Sequence, residues 1–113
     1  MDCLFCKIGK KEIPTQLLFE NKDVIAFRDI APQAPVHILI IPKRHIPGMN
    51  DVSVEDEAVL GQIQTIAREL AAKEKISGDG YRLVMNCGKN GGQAVSHLHY
   101  HLLGGRKFNW PPG

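Results

Sequence analysis

Cysteine, long apolar runs and an excess of charge of either sign are all scarce in this chain of 113 residues. Its three cysteines are an odd number, which argues against a disulfide framework and for a reducing compartment. No apolar run reaches the roughly 18 residues of a membrane span, and no secretory segment is found near the N-terminus. The net charge is only +2, with Lys and Arg spread along the chain, so electrostatics gives no reason to expect a nucleic acid or a membrane as partner. We therefore expect a single cytoplasmic domain, residues 1–113.

The most informative feature that is present is a row of histidines at every second position, His97, His99 and His101. Residues at this spacing scatter around a helix but project from one face of a strand. The residues between them, Leu98 and Tyr100, suit the opposite face, where a strand packs on a core. The pattern predicts a strand over residues 96–103 that presents three imidazoles in a row.

The spacing leaves three uses of this row open. A shared metal ion is disfavoured, because His97 and His101 start roughly 13 to 14 Å apart on a strand, whereas zinc binds nitrogen at about 2.1 Å. A purely structural row, satisfied in the core or by solvent, is the second use. The third is nucleophilic catalysis at phosphorus, in which neighbouring imidazoles fix the tautomer of the nucleophile and carry protons. Three histidines in register favour the third.

The rest of the pattern predicts a small α+β fold. Asp2 is expected to cap a short helix through Ile8, and Ser53 to cap a long amphipathic helix that runs to about Lys75. The other predicted strands are Gln16 to Glu20, Val24 to Asp29, Val36 to Ile41 and Tyr81 to Asn86.

A glycine-rich loop, Gly88 to Gln93, connects the last two predicted strands, which should be antiparallel neighbours. Asn86, Gly92 and Gln93 are then expected to lie beside the histidines. Glycines permit turns in which backbone N–H groups converge on an anion, and the two amides add side-chain donors. The same residues suit a plain hairpin loop. Beside a nucleophile, however, the loop is well placed to hold a phosphate and to stabilise charge on its oxygens.

Together these motifs resemble the histidine triad family. The run from His97 to Leu103 resembles its His-x-His-x-His motif, in which x is apolar. Resemblance to the Hint branch rests on Asn86, Gly91-Gly92-Gln93, Gly104-Gly105-Arg106 and Trp110-Pro111-Pro112-Gly113. The family implies a five-stranded antiparallel sheet with one long and one short helix, in homodimers that join two sheets into one. It also implies hydrolysis of purine nucleoside phosphoramidates and acyl adenylates.

The resemblance further implies a role for each histidine of the catalytic set. His99 would attack the α-phosphorus to form a nucleotidyl-histidine, which water then cleaves. His101 would contact the phosphate and pass protons, and His37, from the neighbouring strand, would fix the tautomers within the set that His97 completes.

The resemblance implies nucleotide contacts as well, at Phe5, Ile8, Phe27, Asp29, Ile30, Leu39, Asn86, Gly92, Gln93, Ala94, His99, His101 and Trp110. Asp29 suits the ribose hydroxyls, with the Ile30 backbone beside it. The four apolar residues from Phe5 to Leu39 would sandwich the base, although they suit an ordinary core equally well. Trp110 would reach the active site of a partner copy.

One position departs from the Hint pattern. The branch usually has a serine or threonine after Gln93, with a hydroxyl placed to interact with the leaving group, but this chain has Ala94. Because alanine has no proton to donate, we expect a slower or differently selective enzyme.

A second constellation consists of Cys3, Cys6, His45 and His97. Two thiolates on one helical turn and two imidazoles complete a closed tetrahedral zinc site, which is structural. The set resembles the zinc site of some histidine triad relatives and of galactose-1-phosphate uridylyltransferases. A buried pair of helix cysteines is the alternative. We expect catalysis itself to need no cofactor.

The leading hypothesis is thus a purine nucleoside phosphoramidase that binds AMP-like nucleotides. One alternative is a dinucleoside polyphosphate hydrolase or nucleotidyltransferase with the same covalent histidine. The other is a nucleotide-binding or zinc-binding module without catalysis, for which Ala94 is the sequence argument.

Overall fold

The computed structural model describes residues 3–113, which form one five-stranded antiparallel sheet with helices on both faces. The strands are β1 (Leu17–Glu20), β2 (Val24–Arg28), β3 (Val36–Pro42), β4 (Tyr81–Met85) and β5 (Tyr100–Gly104). Their order across the sheet is β1-β2-β3-β5-β4. The predicted α+β class and the five antiparallel strands are confirmed.

The helices are α1 (Leu4–Gly9), α2 (Glu57–Lys73) and the single turn α3 (Gly88–Gly91). The predicted cap Asp2 lies outside the described residues, and Cys3 occupies the N-cap position, where its Sγ accepts the N–H of Cys6 at 3.3 Å. The sequence predicted two helices and treated the glycine-rich segment as a loop. That prediction was wrong for α3, which ends at Gly91 and is followed by Gly92, whose left-handed φ of 80° glycine tolerates.

Alternation along the strands separates two cores, one on each face of the sheet. The larger core lies under α2, where Ile63, Ile66 and Leu70 pack on Ala26 and Ile38. The residues of the smaller core, which α1 covers, are Cys3, Phe5, Ile8, Ile25, Phe27, Leu39 and Ile41. On this second face the smaller core lies between α1 and strands β2 and β3, and the catalytic histidines predicted from the sequence lie beside it, on β3, on β5 and just before β5.

The predicted histidine strand over residues 96–103 was wrong at its start, because β5 begins only at Tyr100. The preceding backbone binds a loop instead of the sheet: the N–H of Leu98 donates to the carbonyl of Ile46 at 2.6 Å. The His97 ring donates through Nε2 to the carbonyl of Pro42 at 2.8 Å. His97 and His99 therefore precede the strand, and His101 is the member of the row that lies on it.

Candidate active site

Three imidazoles meet on the face of the sheet that α1 covers. β3 contributes His37, β5 contributes His101, and the segment before β5 contributes His99. The ring centroids of His99 and His101 are 4.9 Å apart, and those of His37 and His101 are 5.1 Å apart. Phe5 of α1 packs edge-on against His99, with 5.1 Å between centroids. The predicted catalytic set is thus brought together in space even though the row is not one continuous strand.

One hydrogen bond fixes the tautomer of His99. Its Nδ1 lies 2.8 Å from the backbone carbonyl of His97, and because a carbonyl only accepts, Nδ1 must carry the proton. In the neutral ring the lone pair is then on Nε2. His99 therefore presents an unprotonated nitrogen, as an imidazole nucleophile requires.

A chain of hydrogen bonds gives His101 the opposite polarity. The backbone N–H of Gln33 donates to Nδ1 of His37 at 3.0 Å, so the proton of the neutral His37 ring is on Nε2. That Nε2 lies 2.9 Å from Nδ1 of His101, which accepts. The proton of His101 is consequently on Nε2. The site thus pairs a nitrogen with a free lone pair, Nε2 of His99, with a nitrogen that can donate a hydrogen bond, Nε2 of His101.

Burial keeps the hydrogen-bonded rings of His37 and His101 neutral. Burial, and then the neighbouring His99 and His37, lower the pKa of His101 to about 4. Burial also lowers the pKa of His37, against the opposing charge of Asp29, whose Oδ2 lies 3.4 Å from Nε2 of His37. The hydrogen bonds from Gln33 to His37 and from His37 to His101 require that each ring is neutral at pH 7 and carries a single proton. A bound anion would favour the charged forms and raise both pKa values.

Asp29 follows β2 and holds the start of the next loop, where its Oδ1 accepts the N–H of Ala31 at 2.8 Å. Its side chain is half-buried beside His37, and the neighbouring side chain of Ile30 is 99% exposed. Sequence reasoning expected a ribose site here. The structure brings Asp29 to the histidines, and the ribose contacts of Asp29 and Ile30 stay predictions.

The glycine-rich segment is held by its own hydrogen bonds. The N–H groups of Gly92 and Gln93 donate to the carbonyls of Lys89 and Gly88 at 3.1 Å each. The Gln93 amide donates to the carbonyls of Pro47 and Val95, and its oxygen accepts the N–H of Gly88. These donors are therefore engaged within the protein, so direct phosphate contacts by Gly92 and Gln93 stay predictions.

Asn86 and Ala94 flank that segment. Within residues 3–113 the Asn86 side chain makes no hydrogen bond, which leaves its amide free for a ligand. Ala94 is exposed, beside a depression of about 450 Å³ that Cys3, Leu4 and His45 also line.

The four residues expected to sandwich the base, Phe5, Ile8, Phe27 and Leu39, are buried together in the smaller core. Phe5 and Phe27 stack edge-to-face, with 5.7 Å between centroids. They fulfil the core role that the sequence equally allowed, and their contact with a base stays a prediction. Trp110, unlike these four residues, is exposed, with 83% of its surface accessible to solvent.

The second predicted constellation also comes together: the ligand atoms of Cys3, Cys6, His45 and His97 lie within 4.8 Å of one another. Nδ1 of His97 is 3.3 Å from Sγ of Cys3 and 3.2 Å from Nδ1 of His45. Sγ of Cys6 is 3.3 Å from Nδ1 of His45 and 3.5 Å from Nδ1 of His97. Tetrahedral zinc separates its nitrogen ligands by about 3.3 Å and nitrogen from sulfur by about 3.5 Å. The four residues therefore fit one zinc ion with no open position.

The orientation of His97 supports this fit. Because its Nε2–H donates to the carbonyl of Pro42, the unprotonated Nδ1 faces the two sulfurs. Burial and the adjacent Cys3 raise the pKa of the Cys6 thiol, and a bound divalent cation would reverse that effect by stabilising the thiolate. His97 thus contacts the other predicted metal ligands through its ring and the predicted catalytic residue His99 through its carbonyl.

Two contributors to the site were missed from the sequence. Gln33 orients His37 and Pro42 orients His97, each through a backbone group. Side-chain type carries no signal for such contacts, which depend on where the fold places the main chain.

Among residues 3–113, no helix combines the length and the apolar character needed to cross a lipid bilayer.

Comparison with known proteins agrees with this architecture. A family model described as the HIT domain matches residues 10–108. Over 105 residues the chain is 53% identical to the purine nucleoside phosphoramidase of Escherichia coli (strain K12), covering 93% of this chain and 88% of that protein. A HIT family hydrolase from Legionella pneumophila Philadelphia 1 superposes with a TM-score of 0.96 at 55% identity, covering 99% of this chain and 100% of that one. A histidine triad protein from Clostridium difficile gives a TM-score of 0.92 at 40% identity, covering 96% and 95%.

Proposed function

This chain belongs to the HIT-domain family, and we propose that it is a hydrolase of purine nucleoside 5′-phosphoramidates that acts through a covalent nucleotidyl-His99. The observation that carries the proposal is the opposed polarity of two adjacent imidazoles, an unprotonated Nε2 on His99 and a protonated Nε2 on His101. One can attack phosphorus while the other donates a hydrogen bond to the phosphate oxygens. The relative named as a purine nucleoside phosphoramidase supports the substrate class.

In the first half of the proposed reaction, Nε2 of His99 attacks the α-phosphorus. The P–Nε2 bond forms as the P–N bond to the amine breaks, and the amine leaves with one proton taken up from solvent. The His37–His101 pair relays that proton, because a bound anionic phosphate favours its charged form. His97 acts as a positioning residue: its carbonyl holds the Nδ1 proton of His99 and partly balances the positive charge that develops on that ring.

In the second half a water oxygen attacks the same phosphorus and the P–Nε2 bond breaks. The proton that the water loses returns to solvent through His101. The net change is one water and one phosphoramidate converted to a nucleoside monophosphate and a free amine. Acyl adenylates fit the same scheme, with the carboxylate as leaving group on oxygen.

The proposed nucleotide contacts follow the geometry around the three rings. Asp29 would bind the ribose hydroxyls, with backbone from Ile30, because its carboxylate lies 3.4 Å from His37. Asn86 has a free amide for the phosphate or the leaving group, while Gly92 and Gln93 shape the loop beside it. We further propose that the base lies against the smaller core at Phe5, Ile8, Phe27 and Leu39. Ala94 would border the leaving group without donating to it.

We propose that Cys3, Cys6, His45 and His97 hold a structural zinc ion. When bound, zinc would fix the end of α1 against the segment that carries His97, and four protein ligands leave it no position for substrate. Catalysis would then rest on the imidazoles alone.

We also propose that two copies join through β4, which is an edge strand with a single neighbour, β5. The exposed Trp110 would then reach the partner's site. Cys3, Cys6 and Cys87 form no disulfide bond, which fits a reducing compartment such as the cytoplasm. Light scattering at several concentrations tests the dimer.

The test of function is release of AMP from adenosine 5′-phosphoramidate by the native protein and by His99→Ala. We expect turnover that His99→Ala abolishes, with AMP still binding to the variant in calorimetry. Tight binding of AMP by a folded native protein that never turns over would instead favour the non-catalytic nucleotide-binding module.

A further inference from the structure

The first turn of α1 brings two cysteine sulfurs close together. Cys3 is the N-cap and Cys6 lies three residues later, so their Cα atoms are about 5 Å apart. Sγ of Cys3 accepts the N–H of Cys6 at 3.3 Å, and the two sulfurs lie within 4.8 Å of each other. A disulfide bond bridges Cα atoms that are about 4.4 to 6.8 Å apart. Side-chain rotation can therefore bring these sulfurs to bonding distance without a large movement of the backbone.

A depression in the surface gives small molecules access to this pair. Its volume is about 450 Å³, and its lining includes Cys3, Leu4, His45 and Pro47. Cys3 itself is buried, but Cys6 is half-buried and the side chain of Leu4 is 48% exposed. A peroxide is about the size of two water molecules, each of which occupies roughly 30 Å³ in the liquid. The depression therefore admits a peroxide.

The third cysteine does not share this arrangement. Among residues 3–113, Cys87 is outside the cluster that Cys3 and Cys6 form with His45 and His97. It is half-buried at the N-cap of α3, at a different place in the fold. Cys87 therefore provides a comparison thiol within the same chain.

We infer that Cys3 and Cys6 form a reversible oxidation site, at which a peroxide converts the two thiolates to a disulfide and thereby releases the proposed zinc ion. The inference rests on the proposed zinc site and not on the proposed reaction at His99. Cysteine binds zinc as the thiolate, which is also its reactive form. Oxidation is favoured where a thiolate is accessible and a second thiol is near enough to form the disulfide.

The reaction consumes one peroxide per chain. The thiolate of Cys3 attacks a peroxide oxygen, the O–O bond breaks, and a sulfenic acid and a hydroxide form. The thiolate of Cys6 then attacks that sulfur, so that the S–S bond forms, the S–O bond breaks and a second hydroxide leaves. The two sulfurs together lose two electrons, and with two protons from solvent the peroxide becomes two waters. His45 and His97 alone are too few ligands to retain the ion.

Release of the ion would remove a link between α1 and the segment that carries His99. The carbonyl of His97 lies 2.8 Å from Nδ1 of His99, and Phe5, between the two cysteines, packs on the His99 ring. Both contacts of the His99 ring thus come from residues that the metal cluster holds. Since a misplacement of about 1 Å can cost on the order of a hundredfold in rate, oxidation should lower turnover.

The test adds a small excess of hydrogen peroxide to the zinc-loaded native protein. We expect release of one zinc ion per chain to a chromogenic chelator, loss of two of the three free thiols, and a disulfide between Cys3 and Cys6 in peptide mapping. Turnover of adenosine 5′-phosphoramidate should fall by at least about tenfold. Dithiothreitol reduces the disulfide and is itself oxidised, so dithiothreitol with added zinc should restore the thiols, the bound ion and the turnover.

Two variants control for oxidation elsewhere. Cys87→Ser should release zinc and form the disulfide as the native protein does, because Cys87 is outside the cluster. Cys6→Ser cannot form the disulfide, so the turnover that this variant retains should not respond to the same dose of peroxide. Thermal unfolding of each variant checks its fold.

Oxidation that stops at sulfinic acid on Cys3 or Cys6, or that joins either of them to Cys87, would overturn the inference and leave the proposed function intact. So would oxidation of Cys87 at a dose that leaves Cys3 and Cys6 reduced, or a disulfide that forms with zinc still bound or with turnover unchanged. Native protein that binds no zinc would contradict both the zinc site and this inference, whereas turnover by the reduced protein tests the proposed function separately.

Discussion

At the scale of single residues, the Nδ1 atoms of His99 and His101 have opposite hydrogen-bonding roles. Nδ1 of His99 donates to the His97 carbonyl, whereas Nδ1 of His101 accepts from His37. The two outer nitrogens consequently differ in polarity. One has a free lone pair, as the proposed nucleophile requires, and the other is a hydrogen-bond donor, although the side chains are identical and only two residues apart.

The first prediction concerns the proton of His101. Because burial and neighbouring histidines lower its pKa to about 4, its ring should stay neutral, with the proton on Nε2, from pH 8 down to about pH 5. Imidazole ¹⁵N NMR across this range measures both tautomer and charge. Binding of AMP should raise the pKa, since the phosphate is anionic. A ring that titrates near pH 6.5 without ligand, or carries its proton on Nδ1, would contradict the relay.

The second prediction concerns Ala94. Ala94→Ser restores a hydroxyl beside the leaving group, and we expect kcat for adenosine 5′-phosphoramidate to rise about fivefold, the rate equivalent of one hydrogen bond of roughly 1 kcal/mol. Ala94→Val, which adds bulk without a donor, is the matched control and should not increase kcat. An unchanged rate in Ala94→Ser would mean that the amine obtains its proton without help from this position.

At the scale of elements, the end of β5 depends on glycine. A Cβ added to Gly104 would lie 2.5 Å from Cδ1 of Ile76. Gly105 has a left-handed φ of 90°, and a Cβ added there would lie 2.8 Å from Cβ of Pro35. Ile76 follows α2, so the contact at Gly104 sets how closely that segment approaches the strand that carries His101. Sequence reasoning assigned this glycine pair to a family motif, and the structure supplies its physical cause.

We therefore predict that Gly104→Ala lowers the free energy of unfolding by about 1 to 3 kcal/mol, the cost of overpacking a filled core. Gly61→Ala is the matched control, because a Cβ there meets nothing within 4 Å and the site is inside α2. It should stabilise the protein by up to about 1 kcal/mol. Urea denaturation of both variants measures this. Equal changes in the free energy of unfolding for the two variants would contradict this prediction and show that the Ile76 side chain moves aside without cost.

The short helix α1 is linked to His99 at two points. Cys3 and Cys6 contact His97, whose carbonyl holds His99, and Phe5 between them packs on the His99 ring. Loss of the proposed zinc ion should therefore loosen α1 and the segment that carries His99 together.

Accordingly, Cys6→Ser should reduce zinc content from one ion per chain, lower the melting temperature and reduce kcat more than it raises KM. Elemental analysis, thermal unfolding and steady-state kinetics measure the three quantities. Cys87→Ser, which removes a thiol outside the set, should change none of them. A metal-free variant with native stability and turnover would show that these four residues bind no structural ion.

The helices and strands also show which parts of the fold could be predicted from the sequence. Strand and helix periodicity predicted the sheet and α2, because those segments alternate or repeat against one core. It failed at residues 96–99, where the backbone of Leu98 binds Ile46 across the fold. It also missed α3, since a single turn rich in glycine has no apolar period. Spacing predicted the histidine row, whereas the addition of His37 to it and the choice of four metal ligands rested mainly on resemblance to the histidine triad family. The backbone partners Gln33 and Pro42 carry no signal of either kind.

At the scale of the whole molecule, neutral buried histidines link stability to pH. Burial lowers the pKa of His37 and of His101 relative to the unfolded chain. At pH 7.5 these histidines are neutral in both the folded and the unfolded chain, so their titration does not change the free energy of unfolding. As the pH falls below about 6.5, His101 takes up a proton in the unfolded chain but stays neutral in the folded chain. The free energy of unfolding therefore decreases until the pH reaches about 4, where the folded chain also binds the proton.

We predict that the free energy of unfolding falls on acidification from pH 7.5 to 4.5, with His101 contributing on the order of 2 kcal/mol. Urea denaturation at both pH values measures it. His101→Gln should show a smaller decrease, because Gln does not titrate, while contributions from carboxylates and from zinc release are common to both proteins. An equal decrease in both proteins would contradict burial of a neutral His101.

The central claim is the covalent nucleotidyl-His99, and intact-mass analysis after rapid mixing with adenosine 5′-phosphoramidate and alkaline quench tests it most directly. The account predicts a transient species heavier by one adenylyl group, located by peptide mapping on His99 and absent in His99→Ala. Turnover by the native protein with no such species, or with the adenylyl group on another residue, would contradict it.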